Sequence, residues 1–410
     1  MDAKLKRENK LIIFLCWAAY TAAYIGRLNL NAYIEPIRDQ LGASKTELGL
    51  VSSFFFFSYG VGQLVHGILS KKYNTRYSVA AALVGSALVN LAMTLCRDAS
   101  AMKYIWLLNG VFQSILWSSV IKTLSERLPD DMLASAVVTM STPPALGTFA
   151  VYGISAVFSS LGVSYKWIFL CPALILLAVG AAWFVLIGHF GKSADGGEEN
   201  VTLGKKQKPA LTPVFILSAL LLVVAAISNG FIKDGVTTWT PSILKESYGL
   251  KESLSILATV VLPLIAVFGA WLSTLLHKRQ KNTSALNGIL YLAELVVLSL
   301  VLLSASTGAG KSPIILLVLF GISAMLMSAV NNVITSIIPL YMRDRMNSGL
   351  LAGVLDTFCY VGSTLSTALL GFIADSRGWT GVFTALLVFG GIACAVCWLS
   401  AVLGKREKTE

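Results

Sequence analysis

The stretch KLIIFLCWAAYTAAYIGRLNLNAYI, residues 10–34, decides the fold class, because it is a long apolar run with Arg27 well inside it. A second stretch, FILSALLLVVAAISNGFIKDGVTTW at 215–239, repeats this arrangement in the second half of the chain, with Lys233 in the matching place. Each run is long enough to cross a bilayer, for which about 20 apolar residues suffice. A cation at bilayer depth costs about 2.5–3.5 kcal/mol on insertion scales, so it normally marks a functional site. The two cations therefore predict one anion-binding cavity between two halves of a membrane protein.

The composition indicates that lipid is the solvent of this chain. Of its 410 residues, 56% are hydrophobic and only 13% are charged, whereas soluble domains are about a quarter charged. The net charge of +11 does not indicate a nucleic-acid partner, because the basic residues fall in short loops between apolar runs, as in membrane topology. We find no phosphate-binding glycine loop, zinc motif or nucleophile triad, and so expect no enzyme activity, no metal and no cofactor.

The apolar runs predict an all-α membrane protein of twelve transmembrane helices in two pseudo-symmetric six-helix halves. We expect an N-terminal half at 1–190, a linker at 191–212 and a C-terminal half at 213–410. The linker is rich in glycine and charge, and is the only long polar stretch in the sequence. The predicted spans are 11–36, 47–70, 77–96, 103–125, 134–160, 166–190, 213–241, 253–276, 284–304, 312–339, 348–374 and 380–403.

The distribution of basic residues predicts the orientation of the chain in the membrane. Most of the lysines and arginines fall on the side that holds both termini and the linker. Cytoplasmic loops carry this excess in membrane proteins. We therefore expect a multi-pass protein of the plasma (inner) membrane, with both termini cytoplasmic, and we expect it to be a monomer.

Hydrogen-bonding residues surround each of the two cations on one helix face. Tyr24 and Asn31 lie three residues before and four after Arg27, and Asn229 lies four before Lys233. Residues at these spacings share a face of an α-helix. We therefore predict that all five of these side chains face the cavity and bind the substrate.

Two carboxylates could neutralise the cations or couple transport to protons. Asp234 follows Lys233 directly and points about 100° away from it on an ideal helix, so we expect it to be a poor partner. Asp356, in the eleventh span, is the better candidate counter-ion. A buried structural ion pair of either cation with Asp234, Asp356 or Glu294 remains an alternative to an anion site.

Four segments of the chain are similar to the organophosphate:phosphate antiporter family of the major facilitator superfamily. KDGVTTWTPSILKESYGL at 233–250 resembles the family's R-Y-G-x-x-x-W-x-P-x-Y-L-K-E, and YTAAYIGRLNL at 20–30 resembles its tyrosine-rich first helix with an arginine. GVFQSILW at 110–117 and YVGSTLS at 360–366 resemble two shorter family segments. The resemblance covers nearly the whole chain and is most specific in the first and seventh helices.

The resemblance implies that Arg27 and Lys233 hold the substrate, as two arginines hold the phosphate in the family. It also implies that Tyr24, Tyr59 and Trp117 lie near the cavity wall, with Tyr360 in the matching segment of the eleventh helix. The departures are informative: Lys233 replaces an arginine, so a bidentate fork becomes a point charge. Other departures are Pro144 in place of a histidine, Gln63 in place of a lysine, and Asp356 where the family usually has no acid.

These observations predict a secondary transporter of a small organic anion, which is a phosphate ester, a phosphonate or a carboxylate. Two facing cations should resist closure of the empty cavity, which favours exchange against phosphate or another anion. A proton on Asp356 or Asp234 could instead couple uptake to the proton gradient, as in a symporter. A membrane sensor that binds ligand without net transport, and a proton-coupled exporter of drugs or lipids, are further alternatives, although Arg27 argues against the exporter.

Overall fold

The computed structural model describes residues 3–69, 74–140, 142–190, 213–307, 312–341 and 348–406. Within these ranges the regular secondary structure is entirely helical. A short 3₁₀ turn at Ile187–His189 and a π-helical turn at Val333–Ile337 accompany the α-helices. The α-helices are α1 (Ala3–Ala32), α2 (Ile34–Leu41), α3 (Lys45–Leu69), α4 (Thr75–Met93), α5 (Ala99–Ser114), α6 (Leu116–Arg127), α7 (Asp130–Thr139), α8 (Thr142–Ser160), α9 (Lys166–Leu186), α10 (Pro213–Tyr248), α11 (Glu252–Thr259), α12 (Val261–Arg279), α13 (Thr283–Thr307), α14 (Pro313–Asn332), α15 (Ile338–Tyr341) and α16 (Ser348–Arg406).

The helices confirm the predicted helical membrane fold. Ten helical stretches of the described residues are long and apolar enough to cross a bilayer. The longest, α16, holds two predicted spans, because the chain reverses at Gly378, where φ is 67° and ψ is −173°. Glycine adopts this backbone conformation without a steric penalty. The predicted fifth span is formed by α7 and α8. Pro143 and Pro144 lie in the first turn of α8, which begins at Thr142, and proline is tolerated there.

Several predicted span boundaries are wrong, because hydropathy does not detect polar helix ends. The seventh span was expected to end at residue 241, but α10 continues to Tyr248. The first was expected to reach residue 36, but α1 ends at Ala32 and a separate short helix follows. The predicted linker at 191–212 lies outside the described residues, so the division of the chain at this linker stays a prediction.

The two halves pack together at the end of the bundle where α1 and α10 end, which we call the distal end. Here α3 of the N-terminal half lies against α16 of the C-terminal half. The Ser53 hydroxyl donates a hydrogen bond to the Thr364 carbonyl oxygen over 2.7 Å. Gly49 allows the closest approach, because a Cβ atom at that position would lie 2.2 Å from the Thr367 carbonyl oxygen. The distal end is therefore closed by direct backbone contact.

A network of charged side chains reinforces this closure, and we call it the distal latch. Its members come from both halves and are Glu35, Arg38, Asp39, Lys45, Lys245, Glu246, Glu252 and Asp375. The Glu246 carboxylate accepts from Arg38 at 2.6 Å and lies 3.1 Å from the Lys45 ammonium. The Lys245 ammonium lies 2.7 Å from the Asp39 carboxylate. These ion pairs join α2 and α3 to the end of α10.

Asp39 is ionised within the distal latch. Burial acts to raise the pKa of its carboxyl group. The hydrogen bond and charge of Lys245, together with the charge of Arg38, outweigh this effect and lower the pKa below its ordinary value of 3.8. The carboxylate therefore keeps its charge throughout the neutral range.

Candidate functional site

A cavity of about 180 Å³ lies between the two halves, on the inner side of the distal closure. Both halves contribute to its wall, through spans 1, 2, 4 and 5 of the first half and spans 7, 8 and 11 of the second. Six of the predicted site residues line it: Tyr24, Arg27, Asn31, Lys233, Asp234 and Tyr360. The structure therefore brings the two predicted cations and their neighbours to one enclosed space.

Two tyrosine rings contact the guanidinium of Arg27. Its guanidinium carbon lies 3.6 Å from the centre of the Tyr24 ring and 5.3 Å from the centre of the Tyr59 ring. Cation–π contacts of this kind stabilise a cation away from water. Among the described residues, no carboxylate lies within 4.0 Å of the guanidinium. The fork of donors can therefore receive an oxyanion from outside the protein.

Lys233 has a closer partner than the sequence predicted. Its ammonium lies 3.9 Å from the Asp234 carboxylate, whereas Asp356 does not come within 4.0 Å of it. The expectation that Asp234 would be the poor partner is wrong, because a lysine side chain has enough rotatable bonds to bend towards the next residue on the helix. The Ser363 hydroxyl also donates a hydrogen bond to Asp234 and holds this carboxylate in place.

Asp356 is a second acidic residue near this pair. It is within electrostatic reach of Lys233, Asp234 and Arg27. Among the described residues we find neither an ion pair nor a hydrogen bond to its carboxylate. Asp356 does not line the cavity, although it lies one helical turn before Tyr360, which does.

Asn31 connects the two halves across the distal floor of the cavity. Its side-chain amide donates to the Thr238 hydroxyl at 3.3 Å, and its carbonyl oxygen accepts from the Ser52 hydroxyl at 2.8 Å. Both of these hydroxyl groups also line the cavity. The floor is therefore polar and joins spans 1, 2 and 7.

Besides Asp356, three predicted site residues are absent from the cavity lining: two lie away from the wall, and a third lies behind it. Asn229 is fully buried and donates to the Met327 carbonyl oxygen, so it faces span 10. Trp117 packs with its ring centre 5.1 Å from that of Tyr20. Tyr59 contacts Arg27 from the second span but does not itself line the cavity. The face of α10 that carries Asn229 therefore packs against its own half. The 3.6-residue period of a helix does not indicate which neighbour a face contacts.

Glu294 belongs to a separate buried cluster. Its carboxylate accepts from the Ser323 hydroxyl at 2.6 Å, and among the described residues no cation lies within 4.0 Å of it. It is therefore not the counter-ion of Arg27 or Lys233.

Sequence analysis missed several cavity residues. The missed residues are Leu28, Ser52, Phe55, Phe56, Trp106, Thr148, Tyr152, Thr238 and Pro263, whereas Thr237 lies on the predicted face of Lys233. Ser52, Phe55 and Phe56 lie three to seven residues before Tyr59, so extending the helix face of that tyrosine would have found them. Among the missed residues, Tyr152 is the clearest candidate for a contact with the ligand, because its buried hydroxyl group has no hydrogen-bond partner within the described residues.

The described residues contain no group of three or more His, Cys, Asp or Glu side chains that could hold a metal ion. The cavity instead presents cations, hydroxyl groups and aromatic rings. This combination suits a small anion with a polar body.

Comparison with known proteins gives consistent results. The profile of the Major Facilitator Superfamily matches residues 16–348. The chain is 25% identical to the glycerol-3-phosphate transporter of Bacillus subtilis (strain 168) over 436 aligned residues, covering 100% of this chain and 96% of that protein. It is 26% identical to the hexuronate transporter of the same strain over 441 residues, covering 99% and 98%.

A solved structure extends the likeness to the fold. The crystal structure of a bacterial homologue of the human lysosomal transporter Spinster, in an inward-facing and unoccupied conformation, superposes with a TM-score of 0.77. The two chains are 13% identical, and 97% of each is covered. At this identity the likeness concerns the fold alone.

Proposed function

The chain belongs to the Major Facilitator Superfamily, and on that premise we propose that it carries a small organic anion across the bilayer by alternating access to the cavity at Arg27. The match to the superfamily model confirms the superfamily recognised in the sequence, and the chain is a multi-pass membrane transporter and not an enzyme. Arg27 carries the proposal about the substrate, because its guanidinium lines the cavity without a carboxylate within 4.0 Å among the described residues.

The proposed cycle uses the contacts of the two halves. An anion enters the cavity, accepts hydrogen bonds from Arg27 and is attracted by Lys233. The halves then rock about the site, as is general for transporters built from two repeats. In this cycle the distal latch must break when the cavity opens at the distal end. With both termini cytoplasmic, as the basic residues predict, the distal end faces outward.

We propose exchange of two anions as the mode of transport. When no anion is bound, the guanidinium of Arg27 is a buried charge without a carboxylate partner among the described residues. Burying such a charge is unfavourable unless an anion is present. Return of the empty carrier should therefore be slow, while return with phosphate or another counter-anion should be fast. The alternative is proton symport through Asp356 or Asp234. It is favoured by the carboxylate of Asp356, for which the described part of the chain provides neither an ion pair nor a hydrogen bond.

Counterflow in proteoliposomes tests this proposal. Vesicles are loaded with unlabelled anion, and entry of labelled anion is followed for glycerol 3-phosphate, a phosphonate and glucuronate. We expect transient accumulation of one of these labelled anions, and its loss in Arg27→Lys, since the planar fork is removed while the charge is kept. Arg97→Lys is the matched control, because Arg97 is exposed in a loop.

The alternative functions give different outcomes in the same vesicles. Uphill uptake without internal anion, driven by an inward proton gradient, would establish the symporter. Binding of the anion without any counterflow would establish the sensor. Counterflow by Arg27→Lys at the wild-type rate would remove Arg27 from the site.

A further inference from the structure

The formal charges in and beside the cavity cancel, which is unexpected for a site that binds anions. Arg27, Lys233 and Asp234 line the cavity, and Asp356 lies outside its lining but within electrostatic reach of all three. Together they carry two positive and two negative charges. Lys233 and Asp234 lie 3.9 Å apart and so largely compensate each other. Arg27 is then left as the attracting charge, with Asp356 as a repelling charge within electrostatic reach.

The charge of a ligand matters strongly in such a cavity. The free energy of placing an ion in a medium of low dielectric constant rises with the square of its charge. A singly charged anion can be matched by Arg27 alone. For a dianion the attraction to Arg27 and the repulsion from Asp356 both double, so these two terms offset each other. The larger desolvation cost of the dianion then remains, and no further uncompensated cation is available for it among the described residues.

Asp356 is better placed than Asp234 to set this preference. The Asp234 carboxylate accepts a hydrogen bond from the Ser363 hydroxyl and lies 3.9 Å from the Lys233 ammonium, so its charge is already compensated within the protein. Asp356 makes neither contact. The electric field of the Asp356 carboxylate is therefore less compensated by neighbouring groups where it reaches the cavity.

We propose that the site selects a singly charged oxyanion over a dianionic phosphate ester, and that Asp356 is the residue that sets this selectivity. This inference rests on the proposed anion-transport function. The hydroxyl groups of Ser52, Thr238 and Tyr152 would bind the polar body of such a substrate. A hydroxylated carboxylate or a sulfate ester has the required charge.

A pair of ligands that differ in charge but hardly in shape provides the test. At about pH 8, 2-hydroxyethyl phosphate is a dianion, because the second pKa of a phosphate monoester is about 6. The matching sulfate, 2-hydroxyethyl sulfate, carries one charge. Affinities of the purified full-length protein for both ligands and for glycerate are measured by calorimetry. The variants are Asp356→Asn and, as a control that removes a carboxylate outside the cavity, Glu47→Gln.

The wild-type protein and Glu47→Gln should bind the sulfate and glycerate at least about tenfold more tightly than the phosphate. The reason is that repulsion from Asp356 offsets the attraction of the second phosphate charge to Arg27 and leaves its desolvation cost uncompensated. Asp356→Asn should improve phosphate binding by about tenfold relative to its effect on sulfate. If Asp356→Asn does not fold, Asp356→Glu replaces it and should keep the wild-type preference.

The outcomes separate this inference from the proposed function. Equal or tighter binding of the phosphate by the wild type, lost in Arg27→Lys, overturns the charge selectivity but supports anion transport. A wild-type preference for sulfate that Asp356→Asn leaves unchanged overturns the role of Asp356. Failure of the wild type to bind any of the three anions contradicts both.

Discussion

Glu246→Gln should weaken the distal latch and shift the protein towards a state that is open at the distal end. Glu246 is the centre of the latch: its carboxylate contacts Arg38 at 2.6 Å, Lys45 at 3.1 Å and the Trp379 ring N–H at 2.9 Å. Two of these contacts cross between the halves. Glutamine keeps an oxygen that can accept hydrogen bonds but loses the charge.

The size of the effect follows from the exposure of the three ionic groups. The side chains of Glu246, Arg38 and Lys45 are 28%, 18% and 14% exposed. Fully exposed pairs contribute about 0.2–1 kcal/mol, and hydrogen bonds to charged groups contribute about 1.5–3 kcal/mol. These partly buried pairs lie between the two cases, so we expect a loss of about 1–2 kcal/mol, which is a 5- to 30-fold change in the ratio of open to closed states.

Pulsed electron–electron resonance measures this ratio directly. Spin labels are placed at Leu161, in the turn after α8, and at Arg377, next to the kink of α16 at Gly378. These positions are exposed, belong to opposite halves and are labelled in a background without the six native cysteines. Glu246→Gln should increase the long-distance population. Glu47→Gln is the matched control, because this carboxylate accepts hydrogen bonds from Ser44 of its own half. An unchanged distance distribution in Glu246→Gln, or an equal change in Glu47→Gln, would refute the latch.

Substitutions at three further positions test the roles of Lys233, Gly49 and Tyr152. Lys233→Arg should keep anion binding in calorimetry and Lys233→Ala should lose it, since only the arginine preserves the positive charge; equal affinities would contradict a role for Lys233 in binding. Gly49→Ala should open the distal end in the same resonance experiment, because the added Cβ would lie 2.2 Å from the Thr367 carbonyl oxygen, whereas Gly153→Ala has open space and should not. Tyr152→Phe should weaken anion binding by about tenfold if the hydroxyl donates to the ligand. The melting temperature should hardly change, because this hydroxyl group has no hydrogen-bond partner within the described residues. An unchanged affinity would show that the ligand does not bind this hydroxyl group.

The sequence predicted the helical membrane fold and the two cations of the site because both signals are local. An apolar run of about 20 residues identifies a span without knowledge of its neighbours. A cation inside such a run is conspicuous for the same reason. Arg27 and Lys233 were therefore found, and the structure places both in one cavity.

The remaining features depend on contacts between distant parts of the chain. The pairs Arg38–Glu246 and Lys245–Asp39 join residues separated by 208 and 206 positions, and no local pattern relates them. Asn229 was misplaced because helical periodicity gives the shared face of a helix but not the neighbour that this face meets. The Lys233–Asp234 contact depends on side-chain flexibility, which helix geometry does not describe.

The central claim is that an anion binds in the cavity through Arg27, and calorimetry tests it most directly. The anion that gives counterflow is titrated into the wild-type protein, Arg27→Lys and the loop control Arg97→Lys. The account predicts that Arg97→Lys binds as the wild type does, while Arg27→Lys binds at least about tenfold more weakly, because the bidentate fork is lost. Equal affinities of Arg27→Lys and the wild type, in samples with equal melting temperatures, would contradict the account.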